Sequence, residues 1–459
     1  MPFSSIDVPG VLRLLGRIAE RPDDLVDLFL ERRETVFLAV ETRRRASRRD
    51  TRSELQVHRE GGLAVRLLRD ERTWLSSRDE LTTDAFVDAA RRVARTPPHA
   101  AARPTFGDAD LWSTPAQATE LWELRDRLLD GLSTPPDATE RALGVDDTLA
   151  DAELRLELRR HRRWTKSISN GPISATERES FYSIAIHAPW GRVGSLLTRL
   201  DAPAIERLVA AARATAGPRL EPPSEGPTDC VLEPDAAAVL LHEAVAHVLE
   251  ADLLARGGDP EAAIGVELGS PHLDIFDDPA GAPESVRRLA DDEGFPTLRR
   301  CLLRAGRIEQ PIADAAWARR RERLEPGGGR RGDRHEPPDP RSSHLELIPE
   351  AEPTLTATPA EALGDGLIVS RVERGRLDPA TGHLRLMIPR AMQVAGGTIV
   401  GATGPFAIVG HVAEVLGTIA GTGAEAVASG AGWCAKHGRR LPVWATTPAV
   451  FCRGLEIRR

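Results

Sequence analysis

Residues 237–253 read AAVLLHEAVAHVLEADL. An apolar, helix-forming run carries His242, Glu243 and His247, with Glu250 and Asp252 just beyond. Two imidazoles with a carboxylate directly after the first offer metal ligands and a general base in one string. The histidines stand at i and i+5, one residue beyond the i, i+4 spacing that puts two rings on one helix face. At about 100° per residue, i+5 lies roughly 140° around a regular α-helix. The rings can meet at one ion only through a π-type turn, or if the helix ends or bends between them. A histidine on an apolar helix face can also be a satisfied core residue. Against that, two histidines and three carboxylates in one short apolar segment are costly to bury without a purpose.

The rest of the chain frames this helix. Its 459 residues are long enough for two or three domains and a large core. The hydrophobic fraction is 41% and the charged fraction 28%, an ordinary globular mix. A net charge of -8 argues against nucleic acid as the main partner. Lys166 and Lys436 are the only lysines among 61 basic residues, so arginine clusters carry less weight than usual. Cys230, Cys301, Cys434 and Cys452 are too few and too scattered for a disulfide framework. The opening residues do not read as a secretion signal, and no 18-residue apolar run is present. The expectation is a cytoplasmic protein with no membrane partner.

In chain order, residues 23–31 read as an amphipathic helix and 34–42 as a strand. Leu55 and Val57, then Leu63, Val65 and Leu67, alternate on either side of Glu60-Gly61-Gly62, which predicts a hairpin with a glycine turn. Trp74 begins a short strand. Thr82 or Thr83 caps a helix whose Phe86, Ala89, Ala90 and Val93 share a face, and Pro97-Pro98 ends it. A connection over 99–115 leads to a helix at about 116–132. Strands follow around Leu154–Leu158 and Tyr182–Ile186, separated by the turn Asn170-Gly171-Pro172. An Ala-rich helix spans 202–215. Gly217-Pro218 and the prolines after it mark a boundary, giving an N-terminal domain over 1–225 and a C-terminal one over 226–459. In the second half, Asp291-Asp292-Glu293-Gly294 reads as a turn rather than a calcium loop, since it lacks the EF-hand spacing. Residues 319–344, rich in Arg, Gly and Pro, predict a long exposed loop. From about 365 onward, short β-type runs between glycines predict a β-rich domain. The fold class expected is α+β: an N-terminal α/β domain with a largely antiparallel sheet, and a β-rich C-terminal domain carrying the metal-motif helix.

With these segments laid out, the chain resembles the TldD/PmbA family of metallopeptidases, on its TldD side. The family hallmark HEAxGHxxEgD stands here as His242-Glu243-Ala244-Val245-Ala246-His247-Val248-Leu249-Glu250-Ala251-Asp252. DDEG stands at 291–294, and a P-x-P-R segment at Pro338-Asp339-Pro340-Arg341. A G-x-vDP-x-TG turn is matched over Gly375–Gly382, and the near-terminal G-x-C-G-K-x-G-Q over Gly432–Arg439. The hairpin and helix over 59–95 also fit, so the resemblance covers nearly the whole chain. Departures are Ala246, Ala251 and Ala435 in place of glycines, Arg439 in place of Gln, and Ser343-His344-Leu345 where Thr-Asn-Thr is usual.

The resemblance implies a zinc-dependent peptidase that trims peptides or unfolded protein segments, with Zn²⁺ on His242, His247 and Cys434 and Glu243 as general base. It also implies a partner: a paralogous TldE/PmbA-like subunit lacking the metal motif, or a second copy in a homodimer. Glu250, Asp252 and Cys452 compete with Cys434 as third ligand. Cys452 lies in the apolar run Ala449–Cys452, where a thiol packs as a small hydrophobe. Cys434 lies among glycines that let backbone approach a site closely, and Lys436 and His437 nearby favour its thiolate. Two other readings stay open: a non-catalytic zinc-containing binding or chaperone subunit, and a hydrolase of a non-peptide amide. The residues that bind substrate are not legible.

Overall fold

The computed structural model describes residues 3, 5–45, 48–94, 118–135, 152–171, 174–189, 191–215, 221–355 and 358–459. Pro97-Pro98, the 99–115 connection, Pro172 and Gly217-Pro218 lie outside the described residues. The fold is α+β, as the sequence implied. No helix among the described residues is long and apolar enough to cross a membrane.

The first half is built on one antiparallel sheet. Its strands are β1 (Leu25–Arg45), β2 (Arg48–Arg69), β3 (Arg72–Arg78), β4 (Arg155–Ser169), β5 (Ser174–Ala188) and β6 (Gly191–Leu197), in the order β3-β2-β1-β4-β5-β6. β1 pairs along its whole length with β2 and along most of it with β4, without a register shift. Successive side chains in a strand alternate between faces, so β1 sorts its residues cleanly. Val26, Leu28, Leu30, Val36, Leu38 and Val40 face one way. They meet helices α1 (Val8–Ile18) and α2 (Thr83–Val93) at one end, and α3 (Thr119–Ser133) and α4 (Ala202–Thr215) at the other. Asp27, Phe29 and Glu31 face the opposite way, toward the second half of the chain. Thr82 caps α2 by accepting from the Ala85 N–H, and Phe86, Ala89, Ala90 and Val93 are its buried face.

Two expectations need correction here. Residues 23–31 are not a helix but the start of β1. Leu25 to Leu30 are all buried, because this strand is central and covered on both faces. Such a continuous apolar run satisfies helical and strand periodicity alike. Gly61-Gly62 is not a hairpin turn either, since β2 runs straight through it. These glycines serve close approach: a Cβ on Gly62 would lie 2.1 Å from the Arg78 carbonyl oxygen and 2.5 Å from the Arg334 side chain.

The second half holds a nine-stranded sheet and a second six-stranded sheet. β7 (Gly226–Leu232) lies within the former and leads into helix α5 (Pro234–Leu241). Strand Val427–Lys436 is the edge of the latter, paired with Arg439–Thr447. One apolar core, from Cys230 and Leu232 through α5 to Val450 and Cys452, joins helix and sheets.

Residues 319–344 differ from the exposed loop expected. A helix, Ala315–Arg320, runs into this segment, and Gly329–Arg330 then pairs with Asp339–Pro340. Arg330, Arg331, Arg334 and Arg341 are buried. The physical reason lies in Asp291-Asp292-Glu293-Gly294. The segment turns, with the Gly294 N–H on the Asp291 carbonyl at 3.1 Å, but its carboxylates are interior. Arg66 bridges Asp27 at 2.6 Å and Glu293 at 2.7 Å. Arg331 reaches Asp27 at 2.8 Å, and Arg163 reaches Glu31 at 2.7 Å and Asp292 at 3.3 Å. Arg288 holds Asp292 at 2.6 Å and Glu179 at 3.2 Å. The arginines of 319–344 are drawn inward because buried carboxylates on both halves require cations.

Candidate metal centre

Helix α5 continues directly into a π-helical turn, His242–Ala246, and then a short α-helical turn, His247–Leu249. The His247 N–H donates to the His242 carbonyl, an i to i+5 bond. This is the device the spacing demanded. It adds one residue to the turn and swings the second ring back over the first, leaving the centroids 4.5 Å apart at 62°.

Cys434 arrives from the edge strand Val427–Lys436. Its Sγ lies 3.6 Å from His247 Nε2. One ligand atom from each of His242, His247 and Cys434 falls within 4.8 Å of the other two. The four cysteines are free, and Cys452 is buried in the apolar core, as its setting suggested.

The other two candidate ligands are engaged elsewhere. Glu250 Oε2 lies 3.3 Å from His247 Nδ1 and accepts from Lys436 Nζ at 3.0 Å. Asp252 Oδ1 accepts from the same Nζ at 2.7 Å. Glu250 stands on Nδ1 and Cys434 on Nε2, so the His247 ring is held in one orientation from both sides. The Lys436 ammonium therefore serves the carboxylates rather than the thiol. It is Arg341 that stands beside Cys434, its guanidinium 3.8 Å from Sγ and 3.4 Å from the carbonyl oxygen.

The electrostatics separate the two histidines. Burial presses the His242 pKa down to about 3, so its ring is neutral. Burial pulls His247 down too, but the Glu250 carboxylate and Cys434 outweigh it and hold the ring well above its ordinary value. Both His242 ring nitrogens are buried and have no hydrogen-bond partner among the described residues. A buried imidazole left this way costs free energy, and a cation held with His247 and Cys434 would take up one of the two nitrogens. The donor set suits zinc, which takes imidazole nitrogen and thiolate sulfur together.

Glu243 sits one residue from His242, and both line a cleft of about 2150 Å³ between β4–β6 and the second half of the chain. Burial raises the Glu243 carboxyl above its ordinary pKa, against the pull of His247 and of a backbone hydrogen bond from Leu377. Strand Arg374–Asp378 packs on the π-turn, and a Cβ on Gly375 would lie 2.5 Å from Glu243 Cγ. Gly375 is glycine so that this strand can close over the carboxylate. Sequence reasoning missed the roles of Gly375 and Arg341. Both fall inside quoted motifs, but nothing in their spacing told which side chain they would meet.

The family description PmbA/TldA metallopeptidase C-terminal domain matches residues 225–459. A metalloprotease of Methanothermobacter thermautotrophicus is 26% identical over 240 residues, covering 52% of this chain and 52% of that protein. A metalloprotease TldD homolog of Buchnera aphidicola subsp. Schizaphis graminum is 28% identical over 221 residues, covering 48% of this chain and 45% of its own length. The chain thus aligns with about half the length of these curated relatives. Thermococcus kodakarensis TldE superimposes with a TM-score of 0.68 at 17% identity, over 98% of this chain and 100% of that one, which shows a shared fold. With more than half of its length matching the family's C-terminal domain, the chain belongs to the TldD/PmbA family of metallopeptidases.

Proposed function

We propose that this chain is a zinc-dependent peptidase that hydrolyses peptide bonds in peptides or unfolded protein segments. One observation carries the reading. A buried imidazole without a partner, His242, converges with His247 and Cys434, while its neighbour Glu243 lines a cleft large enough for a polypeptide segment. His242, His247 and Cys434 would hold the zinc. When bound, the ion supplies Lewis acidity, polarising the scissile carbonyl and lowering the pKa of water to about 7.

The remaining work falls to the chain's own residues. Glu243 takes the proton from the attacking water and delivers it to the departing amine. Its burial, which favours the protonated carboxyl, suits a group that must hold that proton between the two steps. Gly375 and the Leu377 backbone fix where the carboxylate lies. Glu250 orients His247. A site built only to hold a metal needs no such base, which favours hydrolysis over a non-catalytic binding subunit.

The active particle in this reading contains a second subunit, a TldE/PmbA-like paralogue or another copy of this chain. The fold shared with TldE supports it. The test is incubation with a peptide library, read by mass spectrometry, with and without chelator and with zinc restored. Chelator-sensitive cleavage at backbone amides is expected. Intact peptides in the presence of zinc, with and without a TldE-like partner, would overturn the reading.

A further inference from the structure

Arginine supplies almost every positive charge in this chain, yet one of its two lysines stands two residues from Cys434 on the same strand. The Lys436 ammonium is buried and meets three oxygens from three directions. They are Glu250 Oε2 at 3.0 Å, Asp252 Oδ1 at 2.7 Å and the Pro340 carbonyl at 2.8 Å. Glu250 Oε2 in turn reaches His247 Nδ1 at 3.3 Å. We propose that Lys436 is a positioning residue that ties the Cys434 strand to Glu250, and through Glu250 fixes His247, so that the zinc triad is assembled before the ion arrives. This inference rests on the zinc-site reading above.

Three features carry it. The first is the shape of the donor. An ammonium directs three N–H bonds toward separate corners of a tetrahedron, whereas a guanidinium donates in one plane as a rigid fork. Three acceptors converging on one nitrogen fit the former. A planar head two atoms wider cannot meet all three, which gives a physical reason for lysine at this position in an arginine-dominated chain.

The second is the strand. Residues two apart point to the same face, so Cys434 and Lys436 project together. Val427–Lys436 is an edge strand with a register shift between Gly430 and Gly432, and it is paired only with Arg439–Thr447 in its sheet. Arg341 holds its backbone at the Cys434 and Lys436 carbonyls, at 3.4 and 2.7 Å, but a second restraint from the sheet face is needed to hold Sγ within ångströms of two imidazoles. Lys436 provides it by anchoring into the Glu250–Asp252 segment and to Pro340.

The third is the histidine. A carboxylate on the outer nitrogen of a ligating imidazole fixes its tautomer and ring orientation, and losing such a partner typically costs about 10–100-fold in metal affinity. Glu250 holds that place, and Lys436 holds Glu250.

The test is a double-mutant cycle on zinc affinity, measured on the metal-free protein by competition with a chromophoric chelator. K436M and E250Q should each weaken zinc binding about 10–100-fold. The double variant should lose little more than either single, because the two act in series. K436R, which keeps charge and bulk and guards against a folding failure in K436M, should also bind zinc at least about tenfold more weakly. Thermal midpoints taken alongside separate positioning from general stability. Wild-type affinity in K436M or K436R, or losses that simply add in the double variant, would overturn the inference while the zinc reading stands. A wild-type chain that binds no zinc would overturn both.

Discussion

Two buried ionic clusters lie in this molecule, and they are built on opposite principles. Around Asp291, Asp292 and Glu293, carboxylates meet guanidinium groups and backbone N–H groups, although some atoms, such as Arg288 Nε and Arg331 Nε, have no hydrogen-bond partner among the described residues. Asp291 accepts from the Glu293, Phe295 and Gly329 N–H groups, and Asp292 from Arg288, Arg163 and the Arg331 N–H. Burial alone would raise the Asp292 carboxyl, but Arg163 and Arg288 outweigh it and hold it below its ordinary range. Around His242, His247 and Cys434, by contrast, two ring nitrogens are left without a partner. Neither cluster's role follows from its being buried and charged. The difference lies in what each side chain meets: Asp291, Asp292 and Glu293 each keep at least one hydrogen bond and hold the structure together, while His242 has none on either nitrogen among the described residues and is shaped for something else.

The comparison can be broken or sharpened by experiment. The largest effect is expected from E243Q, which removes the base and leaves the triad. Hydrolysis should fall about 10²–10⁴-fold with zinc stoichiometry unchanged. Full turnover with zinc bound would remove Glu243 from the mechanism. C434A should strip most of the metal and the activity, while C452A should leave both nearly as they were. Metal analysis of the two purified variants decides it, and the reverse pattern would move the third ligand.

In the carboxylate cluster, D292N leaves Arg163 and Arg288 facing a neutral amide. Breaking a buried pair in this way costs about 3–5 kcal/mol, to be read from denaturant unfolding. Zinc affinity of the folded fraction should not change. A D292N variant with wild-type stability and weakened zinc binding would invert the two roles. G375A sets a methyl group against Glu243 and should lower kcat about 10–100-fold without displacing zinc. An unaltered kcat would mean that the strand has room to move.

The smallest effect concerns Asp314, whose carboxyl is raised by burial and by nearby Glu293. The unfolded chain gives up this proton near pH 4, while the fold keeps it to higher pH. Stability therefore declines as pH rises between those two values, since unfolding releases a proton over that window. Asn keeps the hydrogen bond from the Trp317 N–H without titrating. D314N should raise Tm by about 2 °C at pH 7 and by less at pH 5. A gain that is the same at both pH values, or that shrinks toward high pH, would show that the fold does not raise this carboxyl.

What the sequence disclosed divides along physical lines. The i, i+5 histidine spacing forced a choice of backbone, and the π-turn is one of the few that meet it. Strands with one buried face, such as Leu154–Leu158, were legible because alternation is a local property. The start of β1 was not, since covering both faces erases the period. The 319–344 segment misled for a different reason. Arg, Gly and Pro predict exposure only when no carboxylates wait inside, and Asp27, Glu31 and Asp292 come from distant parts of the chain. Pairing across such separations is invisible to any window of sequence. Cys434 was placed by its motif, while the link from Lys436 to Glu250 spans 186 residues and required the fold.

The charged face of β1 bears on how the protein can be cut. Residues 225–459 match the family's C-terminal domain and hold all of the proposed zinc ligands. Yet the carboxylates at 291–293 owe part of their neutralisation to Arg66 and Arg163, and Arg331 leans on Asp27, all from the other half. A truncated fragment would inherit the chemistry and lose the counter-ions. It would carry stranded charges at what had been an interior surface, and the remedy would be to redesign that surface, not the metal site.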